Sequence, residues 1–293
     1  MVLTFGLLAA ALLALWAPAR LAIGGRLPMW MALACASLAA ALAHGIVRPV
    51  GLLGIAAWFA LAGAWARAEA GGPYFAWRWP LFAVVVAMAA ALMLHRVPGF
   101  ANPRVIDAVR FTPDALPFTL YLNFDKALIG LAVLAWAHPR IASIGEWRVV
   151  LSVVLRWIGP VIAVVLVAAL AVGYVRWAPK LPPESWLWAG VNLLFVCLAE
   201  EALFRGVIQA RLRRAWSHRR GGRAAALGIA ALLFGVAHVA GGWAYVLLAT
   251  IAGAGYGWVY ERTQRVEASV LLHFGLNATH FFLFTYPALG AAG

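Results

Sequence analysis

Apolar residues in this chain come in long, nearly unbroken runs, not at the 3.6- or 2-residue spacing of elements that bury one face and wet the other. A membrane-spanning helix needs about 20 mostly apolar residues. On that scale the runs fall over residues 2–18, 28–47, 50–66, 79–95, 119–138, 151–175, 186–210, 224–240, 243–260 and 267–285. The pattern predicts an all-α fold, a polytopic integral membrane helix bundle of eight to ten transmembrane helices, with ten the preferred count. Residues 97–118 form the longest polar connection and carry Pro98, Pro103, Pro113 and Pro117. They read as an ordered cap over helix ends, with a gate beside a substrate path as the alternative.

Composition agrees with lipid as the main solvent. Of 293 residues, 65% are hydrophobic and 11% charged, whereas soluble domains are about half apolar and a quarter charged. Mean hydropathy is +0.90. The first seventeen residues are apolar with no basic start, and Arg20 follows them. Although Ala17-Pro18-Ala19 resembles a weak cleavage site, this order suits a retained first helix better than a secretory signal. Cys35 and Cys197 both sit inside apolar runs, which gives no disulfide framework.

The net charge of +13 does not point to nucleic acid, because the basic residues lie in short connections and no matching fold motif accompanies them. They set topology and favour anionic lipid headgroups. With alternating spans and an external N-terminus, one side holds fourteen basic residues: Arg20, Arg26, Arg67, Arg78, Arg140, Arg148, six arginines from Arg211 to Arg223, Arg262 and Arg265. The other side holds seven: Arg48, Arg96, Arg104, Arg110, Lys126, Arg176 and Lys180. That bias places the 211–223 loop in the cytoplasm. The composition looks bacterial, so the expected location is the inner (plasma) membrane. Trp77, Trp79, Trp177, Trp186 and Trp188 fall near span ends, as an interfacial aromatic belt requires.

Inside this apolar background Glu200 and Glu201 stand out. Glu200 lies eleven residues before Arg211, roughly 16 Å along a helix and near mid-bilayer. Ionisable groups at that depth are costly and mark functional sites by default. Glu201 and Arg205 are four apart on one helix face and are expected to pair. Glu200 points elsewhere, with no evident partner in its own helix. Two later spans add polar groups in the same depth band: Phe234 and His238, four apart, and His273 and Asn277, four apart. A buried carboxylate can take a proton from water that an imidazole orients. A histidine and an asparagine amide suit an oxyanion forming on a carbonyl. Together these describe amide or ester hydrolysis. The same Glu and His groups could instead hold zinc, although the H-E-x-x-H spacing is missing.

Glu200-Glu201-x-x-x-Arg205, Phe234-x-x-x-His238 and His273-x-x-x-Asn277 together resemble the signature of the CAAX-processing and bacteriocin-processing (CPBP, or Abi) intramembrane endopeptidases. The resemblance covers roughly residues 185–285 and leaves residues 1–184 as N-terminal transmembrane helices of unassigned role. It implies catalytic roles for Glu200 (water activation), His238 (water positioning), and His273 and Asn277 (oxyanion site). Glu201, Arg205 and Phe234 would support them. Both metal-free and metalloprotease labels have been used in this family. No cofactor is favoured here, and His280, seven residues after His273, keeps a zinc reading open. The expected partners are membrane lipids and a membrane-associated peptide or protein substrate. A proton-coupled transporter or a non-catalytic membrane scaffold using the same polar cluster remains the alternative.

Overall fold

The computed structural model describes residues 1–17 and 27–290. Pro18 and Ala19 of the cleavage-like segment, and the topology-setting Arg20 and Arg26, lie outside the described residues. In chain order the elements are α1 (Val2–Leu13), α2 (Met29–Ala43), α3 (Pro49–Glu69), α4 (Arg78–Met93), β1 (Arg104–Val109), β2 (Phe118–Tyr121), α5 (Phe124–Ala132) and α6 (Ile144–Ala171). They continue with α7 (Ser185–Ala215), α8 (Gly222–Val236), α9 (Trp243–Thr263) and α10 (Val266–Leu283). The chain is a polytopic helical membrane protein, 71% helical, with ten helices among the described residues.

Ten apolar runs and ten helices agree one for one, but their lengths differ. Among the described residues, four helices are long and apolar enough to cross a membrane: α3, α4 with the turn before it, α6 and α7. α2 and α8 have 15 residues each. α6 begins at Ile144, seven residues before its apolar run, because Ser143 Oγ accepts a hydrogen bond from the Glu146 amide at 3.2 Å. That is a Ser-x-x-Glu start, which hydropathy does not register. The 97–118 connection is not simply a cap. Strands β1 and β2 pair antiparallel across it, with Arg104 opposite Tyr121 and Val109 opposite Phe118. Pro103 and Pro117 stand just outside the strands, where a missing N–H costs no ladder bond.

The chain forms two compact units that interleave in sequence. The first comprises Met1–Pro103, Leu122–Ala142 and Leu194–Val207. In it Ser37 Oγ donates to the Thr4 carbonyl at 2.8 Å, tying α2 to α1. Trp58 Nε1 donates to the Leu128 carbonyl at 2.9 Å, tying α3 to α5. Phe5 meets Phe124 and Phe195 edge-on.

The second unit comprises Arg104–Tyr121, Ser143–Leu193 and Ile208–Gly293. Its polar ties are Arg265 to Glu146 at 3.1 Å, Arg213 to Glu261 at 2.9 Å, and Gln209 Nε2 to the Gly257 carbonyl at 3.0 Å. Leu116 donates to the Ala288 carbonyl, which fastens the hairpin to the C-terminal segment. Trp77, Trp79, Trp177 and Trp186 are exposed, as a belt requires, but Trp188 is fully buried. It stacks on Phe281 at 4.0 Å and donates to the Tyr286 hydroxyl at 3.1 Å. It is a core residue of its unit, placed near a span end only by position in the sequence.

Candidate active site

α7 carries the glutamate motif. Glu200 is the middle residue of this 31-residue helix, about 20 Å from either end at 1.5 Å per residue. Arg211 is inside the helix and buried, so the polar loop begins later than the arginines suggest. π-helical stretches at Asn192–Cys197 and Ala202–Gln209 flank the glutamates. Such stretches widen the turn and recur at functional sites. Every residue from Cys197 to Leu212 is buried.

Within the first unit, Glu201 and Arg205 are both 0% exposed, and Arg205 Nη1 lies 3.0 Å from Glu201 Oε2 and 3.1 Å from Oε1. The four-residue spacing therefore produces the expected pair. Glu200 finds its partner outside its own helix. Lys126 Nζ donates to its Oε1 at 2.6 Å. Lys126 had counted as a topology-setting charge, but it lies in α5, with side-chain exposure of 12% against 8% for Glu200. Gly130 makes this possible. A Cβ there would lie 3.3 Å from Leu198 Cγ and 3.6 Å from the Ala199 amide. The bare glycine lets α5 approach α7, and Lys126 sits one turn earlier on the same face. No motif marks Lys126; only its place inside an apolar run hints at it.

Within the second unit, Phe234, His238, His273 and Asn277 line one cavity, together with Tyr256 and His280. Its volume is about 60 Å³, room for a few waters where one needs roughly 10–15 Å³. α8 ends at Val236, so His238 sits in the turn beyond the helix and not on it. The turn is tied back, because His238 Nδ1 donates to the Phe234 carbonyl at 2.7 Å. In the neutral ring that leaves Nε2 as the acceptor. Gly235 allows α8 and α9 to meet here, since a Cβ would fall 1.9 Å from Thr250 Oγ1.

Rings hold the rest of the cavity. Tyr256 stacks on His273 at 4.5 Å, and Phe234 meets His273 edge-on at 5.6 Å. Tyr245 stands edge-on to His238 at 5.2 Å. Asn277 Nδ2 donates to Asn192 Oδ1 at 3.2 Å, one of the two N–H bonds an amide can make. Asn192 went unrecognised in the sequence because a lone asparagine in an apolar run has no motif. His280 Nε2 donates to the Thr285 carbonyl at 3.1 Å. Among the described residues no group of three or more His, Cys, Asp or Glu is arranged to hold a metal ion.

Carboxylates, imidazoles and amides are the kinds of group that water-dependent acyl transfer employs. No curated protein and no solved structure matches the chain. A family model described as type II CAAX prenyl endopeptidase Rce1-like matches residues 182–279. This is about a third of the chain, and it includes Asn192 and all seven motif residues from Glu200 to Asn277. By that match residues 182–279 form an Rce1-like domain, consistent with a CPBP family intramembrane protease.

Proposed function

We propose that the chain is a glutamate-dependent intramembrane endopeptidase that cuts a peptide bond in a membrane-associated peptide or protein. Glu200 takes a proton from water, and His238 Nε2 orients that water. The water oxygen attacks the scissile carbonyl carbon while the carbonyl electron pair moves onto oxygen, where His273 and Asn277 donate to it. As the intermediate collapses, the C–N bond breaks and Glu200 returns its proton to the leaving amine. Glu201 and Arg205 brace the motif, and Phe234 packs beside the water site.

The observation that carries this reading is the gathering of His238, His273 and Asn277 around one cavity of water size. The Rce1-like match over the same residues supports the reaction class. We favour a metal-free mechanism, since the glutamate and histidine motifs lack the H-E-x-x-H spacing of a zinc-binding helix. We also place the 211–223 loop in the cytoplasm from the charge bias, and the protein in a bacterial inner membrane from its composition.

The test uses the full chain purified in detergent, with a fluorescence-quenched prenylated peptide ending in a CAAX sequence and its unprenylated twin. Cleavage by the wild type and its loss in Glu200→Gln are expected. Wild-type cleavage by Glu200→Gln would overturn the mechanism. Dialysis against a chelator, followed by metal analysis, is expected to leave the rate unchanged; a loss restored by zinc would favour the metal reading.

A further inference from the structure

We infer that Lys126 is a positioning residue for Glu200, held in place by a polar cluster around the buried Asp125, on residues that no motif includes. The inference rests on the proposed peptidase mechanism and deepens it. It concerns only the first compact unit.

The geometry begins at the ion pair. Lys126 Nζ takes Glu200 Oε1 at 2.6 Å. A carboxylate in a helix can rotate about its last bond, which is a broad, roughly two-fold torsion. A charge-assisted hydrogen bond to one oxygen fixes the carboxylate plane and with it the direction of Oε2. A general base works only when its accepting oxygen is within hydrogen-bond reach of the proton it removes. Lys126 would supply that aim.

What aims Lys126 is its neighbour. Asp125 is 0% exposed. Its Oδ1 accepts from the Lys126 amide at 2.9 Å and from Asn102 Nδ2 at 2.9 Å. Its Oδ2 lies 2.8 Å from His95 Nδ1. Asn102 Oδ1 in turn accepts from the Phe124 amide at 2.9 Å. The first turn of α5 is thus held by two side chains, His95 and Asn102, of the segment after α4. A fully buried carboxylate with this many donors specifies one conformation, because its alternative is an unsatisfied charge. A lysine needed only for topology would be left in solvent, on its long flexible stem. Here the side chain is only 12% exposed, its backbone amide is held, and its ammonium meets the proposed base.

The full chain is assayed in detergent with the quenched prenylated peptide, and folded protein is followed by its melting temperature. Lys126→Met is expected to lower kcat roughly ten- to hundredfold, a part of the contribution a general base makes, with KM changed less than about twofold. Lys126→Arg should recover most of that loss. Adding Lys126→Met to Glu200→Gln should lower cleavage no further than Glu200→Gln alone, and it should raise the melting temperature above that of Lys126→Met by removing the stranded charge.

If Lys126→Met fails to fold, Asp125→Asn is the second variant, with a severalfold fall in kcat expected at unchanged KM. Wild-type kcat in Lys126→Met, or in Asp125→Asn when that variant decides, overturns the inference. So does a loss in Lys126→Met that tracks the folded fraction and is not rescued by arginine. If Glu200→Gln is inactive while Lys126→Met is normal, only this inference fails. If Glu200→Gln is fully active, the peptidase mechanism fails and takes the inference with it.

Discussion

Helices α6 and α7 are both long enough and apolar enough to span a membrane, yet they do different things. Over their best windows the mean hydropathy is 2.4 for α6 and 1.6 for α7, while 22% of one window and 67% of the other is buried. α6 exposes Leu155, Val164 and Val167, apolar side chains that lipid can cover. α7 carries Asn192, Glu200, Glu201, Arg205 and Gln209, all buried. Lipid offers these groups no hydrogen bond, so they must find partners inside the protein. They do so through Asn277, Lys126, the internal Glu201–Arg205 pair and the Gly257 carbonyl. The helix with the lower hydropathy is therefore the more deeply buried one. In lipid, polarity inside an apolar run drives burial in protein, the reverse of the rule in water.

The largest test of this contrast is chemical. Glu200→Gln on α7 is expected to lower peptide cleavage by about 10²- to 10⁴-fold, the usual worth of a general base. Val164→Gln, on the lipid-facing side of α6, should leave kcat within about twofold, since exposed substitutions away from special features act weakly. Equal losses in the two would mean that any polar change in a long helix disables the protein.

Next in size is the buried ion pair. Arg205→Met strands Glu201, which is expected to cost about 3–5 kcal/mol, measured by denaturant unfolding in mixed micelles. Arg205→Met combined with Glu201→Gln should recover most of it. Packing comes third. Leu203→Ala on α7 is expected to cost about 2 kcal/mol, the low end for buried leucines, because the unfolded reference is still lipid. Leu155→Ala on α6 should change stability by less than about 0.5 kcal/mol. Matching values would erase the distinction between the two helices.

The smallest effect lies in the connection between them. Partial burial lowers the Lys180 ammonium to about 8, against a weaker opposing pull from Asp114. Its ammonium donates to the Phe284 and Ala178 carbonyls. Because the folded pKa is depressed, the folded state binds fewer protons than the unfolded state between about 8 and the ordinary 10.5. Stability should therefore rise modestly as pH climbs through that window. Lys180→Met should flatten the slope in a melting series, and an unchanged slope would remove Lys180 as its source.

Much of the architecture was legible before any coordinates, and particular residues show why. Ten apolar runs became ten helices because length and hydropathy are local properties that lipid rewards directly. The Glu201–Arg205 pair was legible because i,i+4 spacing is fixed by the helix itself. The hairpin at Arg104–Tyr121 was not, since its strands are short and bounded by prolines that read as loop. His238 was placed on a helix that in fact ends two residues earlier, at Val236, a boundary that no cap residue signals. Trp188 looked like a belt residue because distance along the chain cannot distinguish a span end from a core.

The amino-acid sequence alone determined the solvent, the helical class and the residues whose chemistry is out of place in lipid, and it bounded the helix count at eight to ten. Those conclusions follow from composition, period and spacing over a few turns. Only the tertiary structure decided which apolar helix is buried, that Lys126 meets Glu200, that Asn192 holds Asn277, and that His238, His273 and Asn277 share a cavity. Each of these joins residues far apart in the chain: 74 for Lys126 and Glu200, and 85 for Asn192 and Asn277. Such pairs depend on how closely two helices can approach, and that is set by a bare glycine or a stacked ring, not by any pattern within one helix.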